Sequence, residues 1–305
     1  MGGPEPHLRA GRMLWVTFAW GTCFITISIG LEHAPPLWLA AMRALVAGLV
    51  LTVVACILRT SLPRDLRTWA LIVTLGLVNV GVAYASMFGA IATVSTGVAS
   101  ALANAQPILI VLPAWWLFHE RPSGRTSAAM ILGLAGLLLI AMSAGLGTGS
   151  GLALASAAAV TAGTLISRIV RAEPLVAAAA QLLIGGVLLA GAAVLVEGAP
   201  AVDWTPNLVL VVLFMAVIGT AAPTVAWFAE ARRARLDALA TWTLLVPVFG
   251  IALSLVLLRE TPGTWGWFGM AIVVASMLLL AVRPPGGHRL HGLAVGRRSP
   301  FRMRR

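Results

Sequence analysis

The chain has 305 residues, 60% hydrophobic and 10% charged, whereas a soluble domain carries about 25% charged residues. Such a composition cannot keep a soluble surface wet, and the mean hydropathy of +0.96 suits contact with lipid. The formal net charge of +11 could point to nucleic acid, but the charges sit between apolar runs and in the basic segment 283–305, so nucleic acid is not expected as a partner.

A helix needs about 20 mostly apolar residues to cross the hydrocarbon core. Ten runs meet this in chain order: 12–30, 37–58, 68–89, 96–118, 126–144, 151–168, 175–196, 207–229, 238–258 and 264–282. Arg9 and Arg12 precede the first run as in a signal peptide. That run is long enough to span, however, and lacks a small-x-small cleavage site, so an uncleaved first helix is predicted. Turn signals fill the gaps: Ala34-Pro35-Pro36, Leu62-Pro63-Arg64, Arg121-Pro122-Ser123-Gly124, the glycine-rich stretch 145–151 and Thr261-Pro262-Gly263. The polar, Gly/Pro-rich tail 283–305 reads as disordered and suits anionic headgroups. Cys23 and Cys56 both lie in apolar runs, outside any metal or redox spacing, and read as buried, inert thiols.

Two stretches match across the chain. PILIVLPAWWLFHERP runs from Pro107 to Pro122, and PVFGIALSLVLLRETP from Pro247 to Pro262. Each begins with proline, reaches a glutamate (Glu120, Glu260) thirteen residues on, and ends on a second proline. The offset of 140 also pairs Phe88 with Phe228, Met130 with Met270 and Ala141 with Ala281, as in an internal duplication. With the N-terminus in the cytoplasm, 19 of the 21 arginines fall on the inner side. Five helices per half is odd, so the halves must be inverted. Their loops mirror one another: the loop from Ala90 to Ser95 carries no charge, whereas its counterpart has Arg232, Arg233 and Arg235. The expectation is an all-α polytopic membrane protein of ten transmembrane helices in two inverted five-helix repeats. Its domains are a cytoplasmic N-terminus at 1–10, a first repeat at 11–144, a second at 149–282 and a cytoplasmic tail at 283–305.

With these features the chain resembles the EamA-type branch of the drug/metabolite transporter superfamily. The resemblance rests on the ten spans, the Trp20-Gly21 pair, Arg43, Tyr84, Phe88 and the two proline-to-glutamate stretches, over about residues 11–283. The second half departs from the pattern: Gln181 is the polar residue nearest to a repeat of Arg43, and Thr224 stands where Tyr84 would repeat. The resemblance implies two inverted repeats with both termini inside. It also implies a central cavity walled by helices one to four and six to nine, with five and ten peripheral. The implied function is movement of small metabolites, often outward.

Arg43 is the sharpest single residue. It lies about seven residues into its helix, roughly 10 Å below the outer surface, where an arginine costs about 2.5–3.5 kcal/mol at the helix centre on insertion scales. No carboxylate inside a span pairs with it. Two readings stand: a cavity-facing cation that meets an anionic group such as an amino-acid carboxylate, or a stem that snorkels outward towards Glu32. Asn79, Asn104, Gln106 and Gln181 must face the bundle, to bind substrate or to bond helix to helix. Trp20, Tyr84 and Trp242 are cavity-wall candidates, with core packing as the alternative; the other tryptophans mostly fall at span ends. Pro107, Pro113, Pro223 and Pro247 break backbone bonding within spans, as hinges or fixed bends. Glu120 and Glu260 suit helix caps, with a gate or proton-linked role as the alternative. Glu230, near the inner end of helix eight, is a further proton-linked candidate.

These features favour a secondary transporter of amino acids or related metabolites, an exporter across the cytoplasmic membrane by alternating access. The expected partners are a small-molecule substrate, the bilayer and a proton or ion gradient; a homodimer through glycine-rich faces is possible. No cofactor is expected: nucleotide-binding signatures are absent, and no metal-ligand spacing appears. The rival is a membrane-embedded enzyme acting on a lipid or peptide. His119-Glu120 does not continue to HExxH, and no GxSxG occurs, so no enzyme is expected.

Overall fold

The computed structural model describes residues 9–109, 113, 116, 124–143, 147–167, 169–231, 242–243, 245–259 and 263–281. Glu120, Glu260, Arg232, Arg233, Arg235 and the tail from 283 lie outside the described residues. In chain order the helices are α1 (Ala10–Gly30), α2 (Pro36–Ile57), α3 (Leu66–Leu75), a π-helical segment π1 (Gly76–Val82) and α4 (Ala83–Ile91). There follow α5 (Thr96–Ala103), α6 (Gln106–Leu109), α7 (Gly124–Ser143), α8 (Thr148–Ser167) and α9 (Pro174–Val196). The last are α10 (Pro206–Leu213), π2 (Phe214–Ala221), α11 (Ala222–Ala231), α12 (Leu245–Leu257) and α13 (Thr264–Ala281). No strand occurs among the described residues. Six helices are long and apolar enough to cross a membrane: 10–30, 36–57, 66–91, 148–167, 174–196 and 206–227. The fold is therefore all-helical, with the apolar spans of a polytopic membrane protein.

Helix starts follow local chemistry. Pro36, Pro174 and Pro206 occupy first-turn positions, where their missing N–H leaves nothing unpaired. Asp65 accepts from Thr68 N (2.8 Å) at the start of α3, and Thr205 Oγ1 accepts from Leu208 N (3.2 Å) at the start of α10. α2 takes its cap from a distant residue. Glu197, just past the end of α9, accepts from Leu37 N (2.8 Å) and Trp38 N (3.2 Å). A carboxylate there also favours the positive helix end. α9 ends on Gly198 at φ 78°, whose N–H reaches back to Ala193 O (3.1 Å).

The predicted single run 96–118 is interrupted. α5 stops at Ala103, and α6 restarts at Gln106. Pro107 offers no N–H, and the Asn104 side-chain amide also donates to Ser100 O (2.8 Å), the carbonyl its own N–H meets at 3.3 Å.

Two antiparallel pairs pack closely. α2 lies against α9 with small residues in reciprocal positions. A Cβ on Gly48 would stand 2.8 Å from Leu183 Cδ2, and one on Gly186 would stand 2.8 Å from Leu45 Cδ2. α7 lies against α13: a Cβ on Gly136 would meet Gly269 O at 2.9 Å, and one on Gly269 would meet Gly136 O at 2.8 Å. At the end of that pair Arg125 Nε donates to Leu279 O (2.8 Å). Such approaches need glycine, since lipid gives apolar helices little reason to associate beyond close contact. Gly89, Gly97, Gly133, Gly136, Gly185 and Gly186 all face atoms of this same chain.

One expectation is corrected. Cys23 is buried, but Cys56 is exposed. Ala55 sits on the buried face of α2, and the next residue is turned about 100° away from it.

Candidate functional site

The Arg43 side chain reaches from α2 to contacts on α1, α4 and π2. Its residue is only 5% exposed. Nε donates to Thr220 Oγ1 on π2 (3.1 Å), and Nη2 donates to Cys23 Sγ on α1 (3.5 Å). The guanidinium carbon lies 4.9 Å from the centre of the Tyr84 ring and 5.9 Å from that of Phe88, both on α4. A cation over aromatic faces is favoured most where water is excluded. The head group turns into the bundle, so the outward snorkel towards Glu32 is not adopted. Nη1 is buried with no hydrogen-bond partner among the described residues. A buried charged donor left unpaired is costly, and most such groups are satisfied.

Its partners are themselves held in place. Thr220 Oγ1 donates to Met215 O (2.8 Å), a reach of five residues that suits a π-helix. The single Cys23 S–H points to Ala19 O and Gly219 O, both 3.4 Å from Sγ. A Cβ on Gly219 would stand 2.5 Å from Cys23 Sγ, so glycine lets the thiol in. π-helical turns are frequent at functional positions.

A second polar couple mirrors the first. Asn79, on π1, donates through Nδ2 to Gln181 Oε1 on α9 (3.2 Å). Gly163 on α8 makes room for it, since a Cβ there would meet Asn79 at 2.6 Å. Each π segment thus presents a polar side chain to the long helix of the other half, one couple neutral and one charged.

The remaining candidates are spread around this centre. Trp20 on α1 pairs with Trp227 on α11, ring centres 5.5 Å apart. Gly21 lets α1 touch the α12 backbone, where its Cβ would meet Val246 O at 3.1 Å. Gln106 Nε2 donates to Thr164 Oγ1 on α8 (2.7 Å). Asn104 bonds within its own turn. Trp242 is half-buried. Pro107 is the second residue of α6, Pro223 the second of α11 directly after π2, and Pro247 the third of α12. Pro223 and Pro247 are buried.

Glu230 is fully buried near the end of α11. Arg12 Nη1 donates to its Oε1 (2.6 Å) and Arg9 N to its Oε2 (3.2 Å). Both lie at the start of α1, so the ion pair ties the two ends together. At the opposite ends of the helices, a crevice of about 460 Å³ is lined by Leu31, Glu32, His33, Ala92, Ala201 and Asp203, among others. There His33 Nδ1 lies 3.5 Å from Asp203 Oδ2.

Sequence alone gives Thr220, Trp227 and Arg12 no site role and makes Cys23 an inert buried thiol. Trp20 and Cys23 are three apart on one helix face, which is a weak signal. Nothing in sequence marks Thr220 among the other threonines, because its role depends on which helix it meets.

The family model described as "EamA-like transporter family" matches residues 12–142 and again residues 147–282. A chloroplastic WAT1-related protein of Arabidopsis thaliana is 26% identical over 294 residues, covering 92% of this chain and 70% of that protein. A "Probable amino-acid metabolite efflux pump" of Salmonella typhimurium is 28% identical over 285 residues, covering 87% of this chain and 92% of that one. A solved protein crystal structure superposes with a TM-score of 0.66 at 22% identity, over 89% of this chain and 98% of that chain. The last likeness concerns the fold alone.

Proposed function

The chain belongs to the EamA-like transporter family, and on that premise we propose that it exports carboxylate-bearing small metabolites, amino acids and related compounds among them, by alternating access. The names of the family and of the Salmonella typhimurium relative point to a transporter and not an enzyme. In this reading the chain forms ten transmembrane helices in two inverted five-helix repeats, 11–144 and 149–282. Both termini lie on the cytoplasmic side of the cell membrane, and a proton or ion gradient supplies the drive.

Several contacts support the inversion. An offset of 138 carries Arg43 onto Gln181, Leu45 onto Leu183 and Gly48 onto Gly186. The same offset carries the start of π1 onto the start of π2. Leu45 meets Gly186 while Leu183 meets Gly48. A two-fold axis between antiparallel equivalents produces such self-complementary contacts.

The observation that carries the transport site is the Arg43 guanidinium. It stems from the first half, bonds to Thr220 of the second, and keeps Nη1 without a partner among the described residues. Trp20, Tyr84, Asn79, Gln181, Asn104, Gln106 and Trp242 then form the walls around the route, and Pro107, Pro223 and Pro247 mark the bends about which the helices rock. The apolar matrix leaves an arginine there few uses other than meeting an anion.

An export or resistance screen in cells expressing the protein, with Arg43→Ala beside it, tests this reading. The variant should lose anionic and zwitterionic solutes more than cationic ones. Equal loss across the charge classes removes Arg43 from the site. Tags on residues 1 and 305 should report from the same face of the membrane; opposite faces would end the ten-helix inverted reading.

A further inference from the structure

We propose that the group read by Arg43 is the carboxylate of an apolar acid that carries no ammonium, an aryl- or alkyl-alkanoate or an N-acylated amino acid, in preference to a free amino acid. The inference rests on the transport reading above and narrows its substrate class. It follows from what the site offers and what it has already committed.

The offer is one half of a guanidinium fork. Nη1 is buried and unpartnered among the described residues, while Nε and Nη2 are held by Thr220 and Cys23. A planar fork fixed by two other bonds is pre-organised for a carboxylate. The surroundings are apolar and aromatic. Tyr84 and Phe88 cover the guanidinium. Trp20 lies three residues before Cys23 on α1, about one helical turn away, and pairs with Trp227. A flat or branched apolar body attached to the carboxylate has those rings to lie against.

What is missing, among the described residues, is a free carboxylate to pair an ammonium. In an α-amino acid the ammonium sits two bonds from the carboxylate, so it must stand beside the Arg43 cation and be repelled by it. Among the described residues, Glu230 is the single Asp or Glu within a helix. Its two oxygens are already engaged by Arg12 Nη1 and Arg9 N. The Gln181 carbonyl accepts from Asn79, and the Thr164 hydroxyl accepts from Gln106. An amino group therefore brings a second charge into a region whose one counter-charge among the described residues is neutralised elsewhere.

The test uses three ligands that share one body: 3-phenylpropanoate with the acid alone, phenylalanine with acid and amine, and 2-phenylethylamine with the amine alone. Binding to the purified full-length protein in nanodiscs is measured by calorimetry, with sodium chloride as a separate arm, and repeated on Arg43→Gln. The wild type should bind 3-phenylpropanoate about tenfold or more tighter than phenylalanine, with 2-phenylethylamine weakest, and Arg43→Gln should lose about tenfold or more for the simple acid. The wild-type ranking stands as a test even if the variant does not fold. Phenylalanine binding as tightly as 3-phenylpropanoate, with both lost in Arg43→Gln, overturns the amine-free class and leaves the Arg43 site standing. Binding of either acid that is indifferent to Arg43→Gln overturns the site as well. A response to chloride alone assigns Nη1 to an inorganic counter-ion and overturns the proposal, as does binding of none of the three.

Discussion

The ion pair between Arg12 and Glu230 makes a prediction whose size follows from its asymmetry. The Arg12 side chain is 30% exposed, whereas that of Glu230 is 0% exposed, and they meet at 2.6 Å. Breaking a buried pair costs about 3–5 kcal/mol when one charge is left uncompensated in the interior. Arg12→Gln leaves the Glu230 carboxylate buried, held by Arg9 N alone, and should fall near that range, about 3 kcal/mol. Glu230→Gln leaves Arg12 a charge that can turn to water, so the loss should be nearer about 1 kcal/mol. The double variant should be less destabilised than Arg12→Gln alone, because no charge is then stranded. Thermal unfolding of the purified protein in detergent measures all three. At about 2.1 cal/mol/K of unfolding entropy per residue, a chain of this size shifts by about 1.5 °C per kcal/mol, so the two single variants should separate by about 3 °C. Equal effects from both single variants, or strict additivity in the double, would refute the reasoning. The same Glu230→Gln protein addresses coupling: if it keeps full flux under a pH gradient in proteoliposomes, Glu230 carries no transported proton.

Packing and capping give further expectations. Gly48→Leu or Gly186→Leu should each destabilise by about 1–3 kcal/mol through overpacking against Leu183 or Leu45, read as a lower unfolding temperature. Gly198→Ala meets no neighbour within 4 Å but forces a side chain onto φ 78°, so it should cost about 1–2 kcal/mol from the backbone alone. Asn79→Ala and Gln181→Ala, run as a double-mutant cycle, should show a coupling of about 0.6 kcal/mol, the average for bonds between membrane helices; no coupling would show the 3.2 Å contact to be idle. Hydrogen bonds from the Thr68 side chain and then its backbone hold Asp65 below its ordinary 3.8. A depressed carboxyl stabilises the fold fully above the unfolded value and loses that contribution as pH falls through the folded one. Asp65→Asn should therefore flatten the stability profile in that acid window, below about pH 4, and an unchanged profile would remove Asp65 as its source.

Much of the architecture was legible in the residues. Low charge and long apolar runs required a membrane, and the matched Pro107–Glu120–Pro122 and Pro247–Glu260–Pro262 spacings announced two copies of one unit. The runs 12–30, 37–58 and 175–196 differ by at most two residues per end from helices 10–30, 36–57 and 174–196. The site was legible only as a question. Arg43 stood out because a charge in an apolar run has few explanations, but its partners Cys23 and Thr220 did not. Gln181 was placed near its repeat by the offset of 140, yet the offset of 138 shared by α2 and π1 with α9 and π2 puts it on the position itself. π2 is one residue longer than π1 (8 and 7 residues), part of the reason the offset drifts along the chain.

What sequence by itself determined was the solvent and the family match in two stretches, 12–142 and 147–282; it also set the expectation that each amide or charge turns inward. Only the tertiary structure decided which apolar face does so. On α2, Leu51 is fully buried while Leu49 is 58% exposed, and Cys23 is buried while Cys56 is not. In water, the polar face of a helix shows which side is out. In lipid both sides are apolar, so the choice falls to size and fit: a glycine opposite a leucine, a thiol beside a guanidinium. Those pairings exist only once the second helix is in place.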